Sequence, residues 1–169
     1  MTGDAPDRSL PTPVMSCIQG IDHEVIACDP NLADTAAFCE AYGFDPGESA
    51  NAILIESKRP RGHLALCIVL ASHRLDVNGA VCSTMGVKKA SFASPETTRA
   101  VTGMEIGGVT PFGLPDDLDI LIDADVMEVP KVIVGAGHRA AKLRVPTTAL
   151  SRLPRTQVVP GLARPADSR

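Results

Sequence analysis

The 169-residue chain has no tryptophan, one tyrosine and four phenylalanines, so aromatic residues make up only 3% of it. That poverty argues against a single-strand nucleic-acid binder that stacks successive bases on several rings. There is no excess of positive charge. Sixteen Lys and Arg stand against twenty Asp and Glu, for a net charge of −4 and a pI of about 5.5. A globally basic nucleic-acid coat is excluded, while local basic clusters are not. No apolar run approaches the roughly 20 residues needed to span a bilayer. Met1 to Pro13 lacks the basic-then-apolar order of a signal peptide. The expectation is a cytoplasmic protein with no membrane contact.

Metal and nucleotide motifs are missing too. The five cysteines, Cys17, Cys28, Cys39, Cys67 and Cys82, are odd in number and widely spaced, a poor disulfide framework. No C-x-x-C pair and no H-E-x-x-H occur, and His23, His63, His73 and His138 are scattered, so neither a local zinc site nor another metal site is expected. Cys39 and Cys67 lie in apolar stretches and read as small core residues. There is no G-x-x-x-x-G-K-[ST] and no strand–GxGxxG–helix unit. No cofactor is implied.

What is present is a 44% hydrophobic share, enough for one compact domain. The expected organisation is a loose tail over 1–13, a single domain over 14–159 and a second loose tail over 160–169. His23 to Cys28 reads as a strand. Leu32 to Tyr42 reads as a helix burying Leu32, Ala36 and Cys39 and stopped by Gly43. Asn51 to Glu56 and Leu64 to Leu70 read as a hairpin with a basic tip. Its second run is apolar at every position, as in a central strand buried on both faces. Asp76 is a candidate cap for a helix ended by Gly86, and Ser94-Pro95 starts another. Lys88 to Phe92, Leu118 to Ile122, Lys131 to Val134, Lys142 to Val145 and Gln157 to Val159 are further strands. Asp123 to Val129 and Thr147 to Leu153 read as short helices. Strands and helices mix without regular β-α-β alternation. The fold class expected is α+β: a mixed, curved, barrel-like sheet surrounded by helices.

Two glycine-rich segments stand out. In Thr102 to Pro115, the Gly107-Gly108 pair permits φ > 0 and close approach of a ligand to backbone N–H groups. Tight chain packing alone would also require glycine there. The turn Gly135-Ala136-Gly137-His138-Arg139 follows a strand, with Lys142 on the next. Arg139 or Lys142 could meet phosphate, or be solvated hairpin residues. Basic residues cluster at Lys58, Arg59 and Arg61, at Lys88 and Lys89, at His138, Arg139, Lys142 and Arg144, and at Arg152 and Arg155. Each cluster is either a solvated face or a docking point for RNA.

The order of these segments resembles the YbaK/ProX superfamily of aminoacyl-tRNA deacylases, related to the editing domain of bacterial prolyl-tRNA synthetase. The resemblance runs from about 34 to 153. It is carried by Leu66 to Asp76, by Lys89-Ala90-Ser91-Phe92-Ala93-Ser94-Pro95-Glu96, by Thr102-Gly103 with Gly107-Gly108-Val109-Thr110-Pro111-Phe112-Gly113-Leu114, by Ile122-Asp123 and by Gly135-Ala136-Gly137. It implies a hydrolase that clears misacylated tRNA, its partner being the acceptor end of aminoacyl-tRNA, with an aminoacyl-tRNA synthetase as an optional second partner. It further implies that Gly107 and Gly108 amides bind the ester carbonyl and that water or a substrate group attacks. Val109, Pro111 and Phe112 would shape one wall, and Gly135, Ala136, Gly137, His138 and Arg139 the other. The chain departs from the family pattern in one place. Where the family carries a lysine at the start of the first hairpin strand, this chain has Asn51, which supplies no charge. Lys142 stands where relatives carry an acidic residue and is the candidate replacement cation. Asn51 and Lys142 therefore join Gly107 and Gly108 as catalytic candidates. A binding module without turnover, and a small-ester hydrolase unrelated to tRNA, are the alternatives. Monomer and homodimer are both open.

Overall fold

The computed structural model describes residues 9–166. Along the chain run α1 (Thr12–Ile18), β1 (Glu24–Ala27), α2 (Thr35–Tyr42), β2 (Ala50–Arg59), β3 (Arg61–Leu70), β4 (His73–Leu75), α3 (Cys82–Met85), β5 (Lys89–Phe92), α4 (Pro95–Thr102), β6 (Asp119–Asp123), β7 (Lys131–Gly135), β8 (Ala141–Pro146), α5 (Thr147–Ser151), β9 (Thr156–Val159) and β10 (Ala163–Pro165). The class is α+β as expected, but the strands do not close into a barrel. They form a five-stranded sheet in the order β5-β2-β3-β6-β9, a three-stranded sheet β1-β8-β7 and a two-stranded pair β10-β4. A bridge between Ser49 and Ile133 ties the two larger sheets together.

The hairpin of β2 and β3 is the spine. It pairs antiparallel from Ala50 opposite Leu70 to Glu56 opposite Leu64, and β6 then adds to β3 in parallel. Side chains alternate across a strand, so the uninterrupted apolar run Leu64 to Leu70 of β3 must have hydrophobic partners on both faces. It does. Leu66, Ile68 and Leu70 enter one cluster with Phe112, Ile122 and Leu143. Ala65, Cys67 and Val69 enter a second with Ile55, Val81 and Leu162. Burying each large aliphatic side chain of this kind contributes roughly 1.5–3 kcal/mol.

Glycine stops fall where the sequence puts them. Gly43 and Gly103 end α2 and α4 with φ of 74° and 72°. Ser94 Oγ accepts the Thr97 N–H at 3.0 Å and opens α4. The stretch Leu32 to Tyr42 is not one helix. Asp29 accepts the Asn31 N–H and fixes a single 3-10 turn over Pro30–Leu32, after which Asp34 is extended and α2 begins. The face α2 buries is Phe38 and Cys39, while Ala36 is exposed.

Both expected tails need correction where they are described. Thr12 and Pro13 lie in α1, whose Val14 and Ile18 are buried; residues 1–8 lie outside the described residues. At the other end, Leu162 is fully buried, and Ala163–Pro165 pair with β4. The Asp123 carboxylate accepts the Ala163 N–H at 3.3 Å, holding that turn in place. Two anchors one helical turn apart, and a three-residue strand, are too brief to show as periodicity.

Candidate functional site

The two glycine segments meet backbone to backbone. The Gly137 N–H donates to the Gly108 carbonyl at 2.7 Å. A Cβ on Gly135 would sit 2.2 Å from the Val109 carbonyl oxygen, a separation no side chain tolerates, so glycine is required there by close approach. Beside this contact lies a small cavity of about 50 Å³. Gly107 and Val109 supply one side and Gly135 and Lys142 another, with Asn51 and its neighbours on β2 and Thr35 on α2 completing it. Four stretches distant in sequence thus converge.

Lys142 is the charged centre of the cavity. Its side chain is almost wholly buried. The ammonium donates to the Ala33 carbonyl at 2.5 Å and the Gly107 carbonyl at 2.9 Å, and lies 5.6 Å from the centre of the Phe38 ring. The Ala33 carbonyl is available because the chain breaks between the 3-10 turn and α2. Burial pushes the Lys142 ammonium below the ordinary lysine value of 10.5, with neighbouring Arg139 acting the same way and Cys28 and Asp34 opposing it. Asn51 accepts a hydrogen bond from the Thr35 hydroxyl through Oδ1.

Arg139 does not line the cavity. Its Nε donates to the Pro30 carbonyl at 2.9 Å, and its Nη1 donates to the Ile106 carbonyl at 2.6 Å and reaches Asp34 at 3.3 Å. It is a brace behind the glycine loop rather than a free phosphate ligand. His138 is likewise occupied, accepting the Ala140 N–H at Nδ1 and meeting the Ser9 carbonyl through Nε2. Phe112 is fully buried in the main core. Pro111 faces another cavity, of about 370 Å³, shared with Pro13, Cys17 and Leu118. Ala136 is buried in the core and Gly137 sits against Pro11 and Val14. Of the expected wall residues, Val109 and Gly135 line the cavity; Pro111, Phe112, Ala136, Gly137, His138 and Arg139 support it from outside. The Gly108 N–H is also engaged, donating to the Glu105 carbonyl at 2.9 Å. Among the described residues the Gly107 N–H has no such acceptor.

Thr35 and Ala33 were invisible as site residues in the sequence, because nothing local marks a threonine or a backbone carbonyl that tertiary contact makes important. One group of potential metal ligands also escapes local motif reading. His73, Asp123 and Asp125 hold ligand atoms within 4.8 Å of one another. None of them lines the cavity. His73 Nε2 meets Asp125 at 2.8 Å and Asp123 holds the Ala163 turn, contacts that tie β4, β6 and β10 together. Among the described residues no helix is long and apolar enough to cross a membrane.

Comparison with known proteins agrees with this architecture. The chain is 28% identical to the uncharacterized protein YwhH of Bacillus subtilis over 130 residues, covering 77% of this chain and 80% of that one. The crystal structure of hypothetical protein APE2540 superposes with a TM-score of 0.79 at 20% identity, covering 90% of this chain and 99% of that one. That of a proposed trans-editing enzyme for prolyl tRNA synthetase superposes with a TM-score of 0.76 at 23% identity, covering 92% and 99%. The profile of the aminoacyl-tRNA editing domain matches residues 29–153, the span that contains every cavity residue, and the chain belongs to that family.

Proposed function

We propose that the protein is a trans-acting aminoacyl-tRNA deacylase that takes a small aminoacyl group. The observation carrying this reading is the convergence of Asn51, Gly107, Gly135 and Lys142 on one cavity within an editing-domain chain. Water needs on the order of 10–15 Å³ of such volume, so about 50 Å³ suits a side chain of a few heavy atoms.

In this reading the aminoacyl group enters beside Gly107. The Gly107 N–H donates to the ester carbonyl and then to the developing oxyanion. That N–H belongs to the same peptide as the Ile106 carbonyl, which the Arg139 guanidinium already polarises at 2.6 Å; aligned hydrogen bonds of this sort strengthen one another. Lys142 fixes the following peptide through the Gly107 carbonyl and brings positive charge to a site where Asn51 brings none. Water attacks the carbonyl carbon, and the bond to the terminal ribose oxygen breaks. That oxygen takes the proton, releasing amino acid and free tRNA. One preorganised oxyanion donor is typically worth about 3–4 kcal/mol, so backbone placement can supply much of the rate without a protein nucleophile.

The test is a deacylation panel. Purified protein is mixed with tRNAs charged with Pro, Ala, Cys, Ser, Thr and small non-protein amino acids, and ester loss is followed. Cleavage confined to one or two small residues, and lost in Lys142→Met, is the expected result. The second reading is a binder without turnover. It is favoured by the Lys142 ammonium already being spent on two carbonyls. Under it the panel is inert and bound ester is protected.

A further inference from the structure

Two basic clusters separated by nearly thirty positions in sequence are joined by the fold. The register of the outer strands sets Arg59 opposite Lys89, and the Lys88 N–H donates to the Arg59 carbonyl at 2.8 Å. Arg59, Arg61, Lys88 and Lys89 are all exposed and form one patch at the hairpin tip. Lys58 is neutralised by Glu56 at 2.7 Å and adds little. β5 is the edge of its sheet, and at its far end stands Phe92, 59% exposed, opposite Ile55 on β2. Residues opposed in register share a face, as do alternate residues of one strand. Ile55 itself is buried in the second core, but β5 pairs with β2 only from Ile55 to Arg59, so Phe92 stands where β5 ends and leaves the edge of β2 that leads to Asn51 in the cavity.

Strand β2 is a ruler between these features. At about 3.3 Å per residue, Phe92 lies about 13 Å from Asn51 along it and the cations about 26 Å. We propose that this line is an RNA track: the acceptor stem's phosphates rest on Arg59, Arg61, Lys88 and Lys89, and an unpaired nucleotide near its 3′ end stacks on Phe92 as the terminal aminoacyl group enters the cavity. The proposal rests on the deacylase reading for its choice of RNA. Lysines on an edge strand also block edge-to-edge association, but that duty does not call for arginines at the hairpin tip or for an exposed ring between them and the cavity.

The test uses the full chain with the four cations changed to glutamate, which still blocks an unpaired edge but repels phosphate. Two readouts are taken. Binding of uncharged tRNA is titrated between about 50 and 200 mM salt, where each lost phosphate contact removes roughly 0.7–0.9 from the log–log slope. The variant's slope should be shallower by about three, and the wild type should lose about 60-fold more affinity than the variant across that range. Cleavage of an aminoacyl-CCA trinucleotide, too short to reach the patch, should be unchanged, which also shows that the variant is folded. Phe92→Ala should weaken tRNA carrying its CCA end by about tenfold and leave tRNA trimmed of that end unaffected. Equal slopes and affinities for the wild type and the fourfold variant would overturn the track. Wild-type protein that binds tRNA through these residues but cleaves no ester would overturn the deacylase reading and leave the track standing. Wild-type protein that binds no tRNA would overturn both.

Discussion

Replacing Lys142 separates chemistry from stability. Its ammonium makes two charge-assisted hydrogen bonds, each worth about 1.5–3 kcal/mol. Against them stands the desolvation of a buried charge, several kcal/mol per ion. Lys142→Met keeps the stem and removes both effects, so unfolding free energy should move by less than about 2 kcal/mol in either direction. Activity should not be spared. Removal of one electrostatic support from an oxyanion site lowers kcat by about 10²–10³. The linkage to pH has a definite sign. Burial lowers the folded-state value below 10.5. Below that lowered value both folded and unfolded chains hold the proton, and Lys142 adds no pH dependence. Above it the folded chain gives up the proton first, so the unfolded chain binds more protons and stability rises with pH until 10.5 is passed, by at most about 1.4 kcal/mol per pH unit. Urea titrations of wild type and Lys142→Met through that window, beside deacylation at neutral pH, measure both quantities. A Met variant that keeps wild-type turnover, or whose stability follows the same alkaline curve as wild type, refutes the reasoning.

Other predictions follow from single contacts. Gly107→Ala places a methyl 2.1 Å from Arg139 Nη1 at a φ of 89°, so deacylation should fall at least tenfold while far-UV circular dichroism stays native. Leu162→Ala empties a fully buried site and should cost about 2–5 kcal/mol, read as a fall in Tm of roughly 4–20 °C. Native protein treated with iodoacetamide should label at Cys17, the one cysteine that is not buried; burial pushes the Cys67 thiol up to about 12, and mass spectrometry after digestion should find it unmodified until urea is added.

The sequence made the hairpin legible because an apolar run between turn residues has few alternatives, and it made the glycine stops legible because only glycine adopts their φ cheaply. Asn51 and Lys142 could be singled out, but their placement around one cavity could not, since β2 and β8 lie in different sheets. The wall was only half legible for the same reason. Within Val109 to Phe112, Val109 reaches the cavity, Pro111 lines a different one and Phe112 fills the core, and which side chain goes where depends on where the loop is anchored. That anchor is Arg139, whose partners at Pro30, Asp34 and Ile106 are remote in sequence. The docking of Leu162 was hidden because one leucine between prolines carries no period, although Asp123, its neighbour's hydrogen-bond partner, was within the matching motif.

The cavity borrows its lining from α2, β2, the glycine loop and the strands β7 and β8, and no one of these could hold a ligand alone. A compound that fits must therefore recognise the assembled protein and ignore the unfolded chain. Its binding then adds RT ln(1 + [L]/Kd) to the free energy of unfolding, about 2.7 kcal/mol at a hundredfold excess over Kd. A melting curve becomes a substrate screen: non-hydrolysable aminoacyl-adenosine analogues can be ranked by how far each raises the transition, before any charged tRNA is prepared.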